Sequence, residues 1–180
     1  LQEYSEQLSS GNVELNSLQN QLDSVKKEKE SLETRLSQVS GADGNNKLLT
    51  AVIKAANLYI SNDSTGAAEA IADVDVSSLP VEEAKTLYNT ISGATMMNAA
   101  NDLYNRGMTA YNKADYTTAA DLLVRAYKCD KTKADAVFYA AKSYVALNQP
   151  DNAKKYYQII ADEFKSSGYV TEAQAYVQSH

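Results

Sequence analysis

The sequence predicts an all-α fold, with an amino-terminal coiled-coil helix followed by a short solenoid of helical hairpins. Three observations carry this expectation. Pro occurs twice and Gly seven times in a chain of 180 residues rich in Ala, so little interrupts helices. Leu and Val recur every 3.5 residues over the first forty positions. Farther on, residues 103–131 align with 137–165 at an offset of 34 with no gap.

The heptad comes first. With Leu1 as position a, the a sites are Leu1, Leu8, Leu15, Leu22, Lys29 and Leu36, and the d sites are Tyr4, Gly11, Leu18, Val25, Leu32 and Val39. Nine of these twelve are Leu or Val. A 3.5 period sustained this long is a seam for another helix, so residues 1–40 read as a coiled-coil stalk. At about 1.5 Å per residue the rod is on the order of 60 Å long. Leu15, Leu18, Leu22, Val25, Leu32 and Leu36 are the residues expected to hold copies together. Gly11 leaves a hole at d, so fraying or a kink is expected before Val13. Lys29 can snorkel its ammonium to water. The e and g sites are mostly Gln, Ser and Asn, and a parallel in-register pair would set Glu28 against Glu33. Number and orientation of helices therefore stay open. The alternative is that residues 1–40 fold back on their own chain, against which the polar b, c and f positions speak.

Residues 40–46 read SGADGNN. Gly, Asp and Asn end helices, so residues 41–46 are expected to be a linker. Beyond it 12 of the 13 Tyr are found, and 47–180 is expected to be the helical-hairpin domain. The clear repeats are 100–132 and 134–166. Leu103 matches Val137, Gly107 matches Ala141, Tyr116 matches Pro150, Ala119 matches Ala153, and Leu123 matches Tyr157. Small residues at this spacing mean that two helices cross closely, since a large side chain there would overpack. Asp115 and Pro150 suit helix starts. A degenerate pair is expected over 47–75, with helices at 48–60 and 66–74 and a turn at Asn62, Asp63 and Ser64. From Pro80 the sequence allows one long helix or two broken near Ser92 and Gly93, and a helix over 80–92 that continues, straight or bent, into the first repeat is favoured. A terminal cap helix over 169–179 would turn Val170, Ala173 and Val177 inward, because a stack leaves an apolar face open at its end.

The period and the residues resemble the tetratricopeptide (TPR) repeat. Its pattern reads Leu103, Arg106-Gly107, Ala110-Tyr111, Ala119, Leu123 and Ala126 in the first repeat. In the second it reads Val137, Ala140-Ala141, Tyr144, Ala153, Tyr157 and Ile160. Arg106 departs from an apolar position, and Lys131 and Lys165 stand where the family often has Pro. The resemblance implies a concave groove lined by Asn101, Tyr104, Met108, Tyr111 and Asn112, then by Asp135, Phe138, Lys142, Val145 and Ala146. It implies a peptide or partner protein as ligand, while the Lys/Asn/Arg clamp for acidic carboxyl-terminal tails is missing from these positions. The competing expectation is that these side chains pack on neighbouring helices or in a self-dimer. A coiled coil followed by such repeats is similar in domain order to periplasmic cell-division coordinator proteins. That likeness implies an extracytoplasmic or periplasmic place at the bacterial cell envelope, with the cytoplasm left open.

Composition narrows the function. A net charge of −6 argues against nucleic acid as partner. No run of 18 apolar residues is present, so no membrane span is expected. Leu1 is not Met and falls within the repeat, so a removed segment, an anchor or leader, is expected upstream. Cys129 stands alone and reads as a small apolar residue. The one histidine, His180, is the last residue, and with one Cys it cannot supply zinc-type ligation. DGNN at 43–46 lacks calcium-loop spacing. Adjacent pairs such as Glu82-Glu83 and Asp162-Glu163 splay about 100° apart on a helix and suit solvated helix ends. No enzyme activity, cofactor or metal is therefore expected. The expected function is a protein-binding module joined into oligomers by its stalk. The alternatives are a structural spacer, or a regulatory appendage of an upstream membrane-anchored enzyme.

Overall fold

A computed structural model describes the backbone of residues 2–38 and 43–180 and the side chains of 11–34 and 47–180. Among the described residues all regular structure is helical. The helices are α1 (Gln2–Gln38), α2 (Asp43–Ile60), α3 (Ser64–Ile71), α4 (Glu82–Asn112), α5 (Tyr116–Cys129), α6 (Ala134–Ala146), α7 (Pro150–Glu163) and α8 (Val170–Ser179), with a 3₁₀ turn at Val76–Ser78. The chain divides into two compact units, Leu1–Thr95 and Met96–His180, and α4 contributes to both.

In the first unit α1 packs on α2 and α2 on α3. Leu49, Val52, Ile53, Ala55 and Ala56 recur at three- and four-residue steps and are buried along one side of α2. The segment expected to be a stalk forms α1, one helix over Gln2–Gln38. Val25 and Leu32, two of its d residues, are fully buried within the chain. The expected linker is also shorter: Asp43–Asn46 form the first turn of α2, leaving Gly41 and Ala42 of that segment outside the described residues. An Asp at a helix start is favoured by the exposed amides there, which offsets the poor helix propensity of Gly and Asn. Gly11 does not interrupt α1, since a single interior Gly costs only about 0.5–1 kcal/mol. Lys29 is half-buried, with its Nζ 3.2 Å from Glu33 Oε1. The helix expected from Pro80 does continue into the first repeat: α4 runs unbroken through Ser92 and Gly93.

In the second unit several corresponding apolar positions of the two repeats are buried in both. Leu103 and Val137, Ala119 and Ala153, Leu123 and Tyr157, and Ala126 and Ile160 are all buried. A Cβ added at Gly107 would lie 2.8 Å from Leu123 Cγ and 3.3 Å from Leu122 Cβ, so α4 and α5 meet where glycine removes the side chain. Arg106, the misfit in the repeat pattern, is exposed and ion-paired with Asp102 at 3.0 Å.

Three turns share one hydrogen-bond pattern, one in the first unit and two in the second. Asp63, Asp115 and Gln149 each donate a backbone N–H to the carbonyl five residues earlier, on Leu58, Ala110 and Tyr144, at 2.9, 3.0 and 2.9 Å. The residue before each, Asn62, Ala114 or Asn148, has φ of 63°, 58° or 55° and bonds back to Tyr59, Tyr111 or Val145. This is the Schellman closure of a helix, used three times. Asp63 and Asp115 then cap the following helix, accepting from the N–H of Gly66 at 2.8 Å and of Thr118 at 3.2 Å. In α7 Pro150 takes the first position instead.

Candidate functional site

Aromatic rings of the second unit form a connected chain. Tyr111 meets Tyr116 and Tyr139 edge-on, with centroids 5.5 and 5.1 Å apart. Tyr139 meets Phe138 at 5.4 Å, and Phe138 stacks on Tyr169 at 4.1 Å. From Phe138 the chain continues to Tyr157, then to Tyr176 at 4.7 Å, and ends on His180 at 4.1 Å. Such pairs are worth about 0.5–1.5 kcal/mol each beyond the area they bury. Helical spacing places Tyr104, Met108 and Tyr111 on one stripe of α4 and Tyr169 and Tyr176 at the two ends of α8.

Carboxylates tie the phenols down. Tyr169 hydrogen-bonds Asp135, and burial followed by that bond pushes its pKa up to about 12. Burial, then Asp135 and Tyr139, also raises Tyr104. Tyr157 Oη donates to Glu172 Oε1 at 3.2 Å, and burial with the Glu172 charge raises its pKa strongly. These phenols are neutral at physiological pH. They offer hydroxyl donors and ring faces, and no activated nucleophile arises from them.

The expected groove residues fall into two groups. Tyr104, Met108 and Tyr111 are half-buried and Asn112 is exposed. Val145 and Ala146 are exposed as well, whereas Asn101, Asp135, Phe138 and Lys142 are engaged by their own chain. Asn101 Oδ1 accepts from Lys133 Nζ at 2.8 Å, and the same ammonium sits 5.6 Å above the Tyr104 ring. Phe138 is only 6% exposed beneath Tyr169. Lys142 sits over Phe138 and reaches Glu172 Oε1 of α8 at 3.4 Å. Asp135 holds Tyr169. Tyr139, Tyr157, Tyr169 and Tyr176 were not among the expected groove residues. Tyr157 reads as core because it matches Leu123. Tyr169 follows a Gly168 turn whose course only packing decides.

The expected oligomerisation residues are divided likewise. Leu15 and Leu18 are exposed, Leu22 is half-buried, and Val25 and Leu32 are buried. The side chain of Leu36 lies outside the described residues. Among the described residues no cluster of His, Cys, Asp and Glu could hold a metal, and no helix is long and apolar enough to cross a membrane. Comparison with known proteins found no family model, curated protein or solved structure that matches this chain.

Proposed function

We propose that this chain is a non-catalytic interaction module of TPR-like hairpins that takes a peptide or partner protein on its tyrosine-lined face, with α1 joining copies. The observation that supports the reading is the row of half-buried rings, Tyr104, Tyr111, Tyr139, Tyr169 and Tyr176, which combine apolar area with hydroxyl groups. Tyrosine carries large contact area at small conformational cost, which suits recognition. Multiple copies would add avidity for a repetitive partner. Placement at a bacterial cell envelope belongs to the same proposal.

A second reading is favoured by one observation. Phe138 is covered by Tyr169, and α8 is held by the Lys142–Glu172 pair and by Tyr157. A face filled by its own residues suits a structural spacer. The two readings separate by selecting peptides from a random library on the immobilised full chain. Because the chain has no Trp, binding can be followed by tyrosine emission. The module reading expects selected peptides whose affinity falls about tenfold or more in Tyr104→Ala/Tyr111→Ala, with helicity retained. Failure to enrich any peptide, or equal affinity for the double variant, supports the spacer.

A further inference from the structure

Resting on the reading of α1 as the segment that joins copies, we infer that only its first three heptads pair with a second copy of this chain, while the rest of the seam is core of its own fold. The a and d positions change character along one helix. Leu15 and Leu18 are 70% and 54% exposed, whereas Val25 and Leu32 are 0% exposed. On the opposite side of α1, Val13, Asn16, Ser17 and Asn20 line an open groove of about 840 Å³ with Thr90, Gly93 and Ala94 of α4. Val13 apart, the first half of α1 thus turns polar residues toward its own unit and leaves its apolar seam uncovered.

A second copy fits that seam better than an unlike partner. The 3.5 period runs without change of register from Leu1 and Leu8 into Leu15, Leu18 and Leu22, and a period of 3.5 matches a supercoiled helix. Charge agrees. Up to Ser24 the charged residues are Glu3, Glu6, Glu14 and Asp23, and three of them occupy c, f and b positions away from the seam. In a parallel pair Gln7 meets Asn12 and Glu14 meets Gln19, so no like charges oppose. The single clash of a full-length pair, Glu28 against Glu33, lies in the buried half, where Glu33 is already taken by Lys29 at 3.2 Å. Confining the pair to the first three heptads removes the repulsion that a full-length stalk would carry.

Gly11 supplies the test. It occupies a d position, and nothing lies within 4 Å of where its Cβ would be. A leucine there is tolerated by the single chain and fills a hole in the pair. Sedimentation velocity on the full chain over a concentration series is expected to show a monomer–dimer equilibrium for the natural sequence. Gly11→Leu is expected to lower the midpoint concentration about tenfold or more, since a filled core layer adds buried apolar area. Leu15→Ser/Leu18→Ser is expected to be monomeric throughout with unchanged helicity. A natural chain and a Gly11→Leu variant that both stay monomeric overturn this inference together with the joining role of α1. A dimer that survives Leu15→Ser/Leu18→Ser, or is indifferent to Gly11→Leu, overturns this inference alone and leaves joining to another surface.

Discussion

Ala114 has φ of 58° at the closure of α4, where Asn62 and Asn148 stand in the equivalent turns. Left-handed backbone costs a non-glycine residue on the order of 1–2 kcal/mol, least for Asn and more for Ala. The hydrogen bonds from Ala114 and Asp115 to Tyr111 and Ala110, at 2.9 and 3.0 Å, hold the residue there. Ala114→Gly is therefore expected to stabilise the protein by about 0.5–1 kcal/mol, the relief of strain exceeding the entropy that glycine adds to the unfolded chain. Urea unfolding checks it, with Asn148→Gly as a control expected to change stability less. A loss of stability in Ala114→Gly would mean that the turn is not strained.

At the scale of elements, the crossing of α4 and α5 depends on Gly107. Gly107→Ala places a methyl 2.8 Å from Leu123 Cγ and 3.0 Å from its Cδ2, and overpacking of this kind costs about 1–3 kcal/mol. The double variant with Leu123→Ala should lose less than the sum of the two single losses, because the two residues share one space. Denaturation of the two single variants and the double variant decides the matter. The helices around this crossing were legible because a gap-free 34-residue offset puts Gly107, Ala119, Ala141 and Ala153 at corresponding places. The stalk was legible as a helix, and its partner was not. An apolar seam says that something covers Leu15 through Leu32 and does not say which chain supplies the cover. Tyr104 and Tyr111 were reached only through the resemblance to the repeat family, and both are half-buried on α4. The cover on Phe138 was not legible, since Tyr169 lies 31 positions later, past a turn that only tertiary packing places.

For the molecule as a whole, phenols held neutral by burial set its alkaline limit. Tyr127 and Tyr169 are each pushed up to about 12, burial being the larger cause, with Tyr127 Oη also donating to Glu163 Oε2 at 2.9 Å. Tyr157, Tyr104, Tyr144 and Tyr88 are raised in the same direction by burial. A group whose folded pKa exceeds its unfolded value of about 10 binds its proton more tightly in the fold. Its contribution is complete below pH 10 and is lost as pH rises toward 12. Tyrosinate absorbance should therefore lag behind that of free tyrosine and then rise together with loss of helical circular dichroism. Ionisation that finishes near pH 10 with the helices intact would contradict this. One further consequence comes from the order of packing in the second unit, where α5 rests on α6, α6 on α7 and α7 on α8. Each helix leans chiefly on the next along the chain, so opening can start at the carboxyl end like a zip. The last tooth of this row is α8, and its departure would uncover Phe138 and Tyr157, which it now covers together with Tyr169.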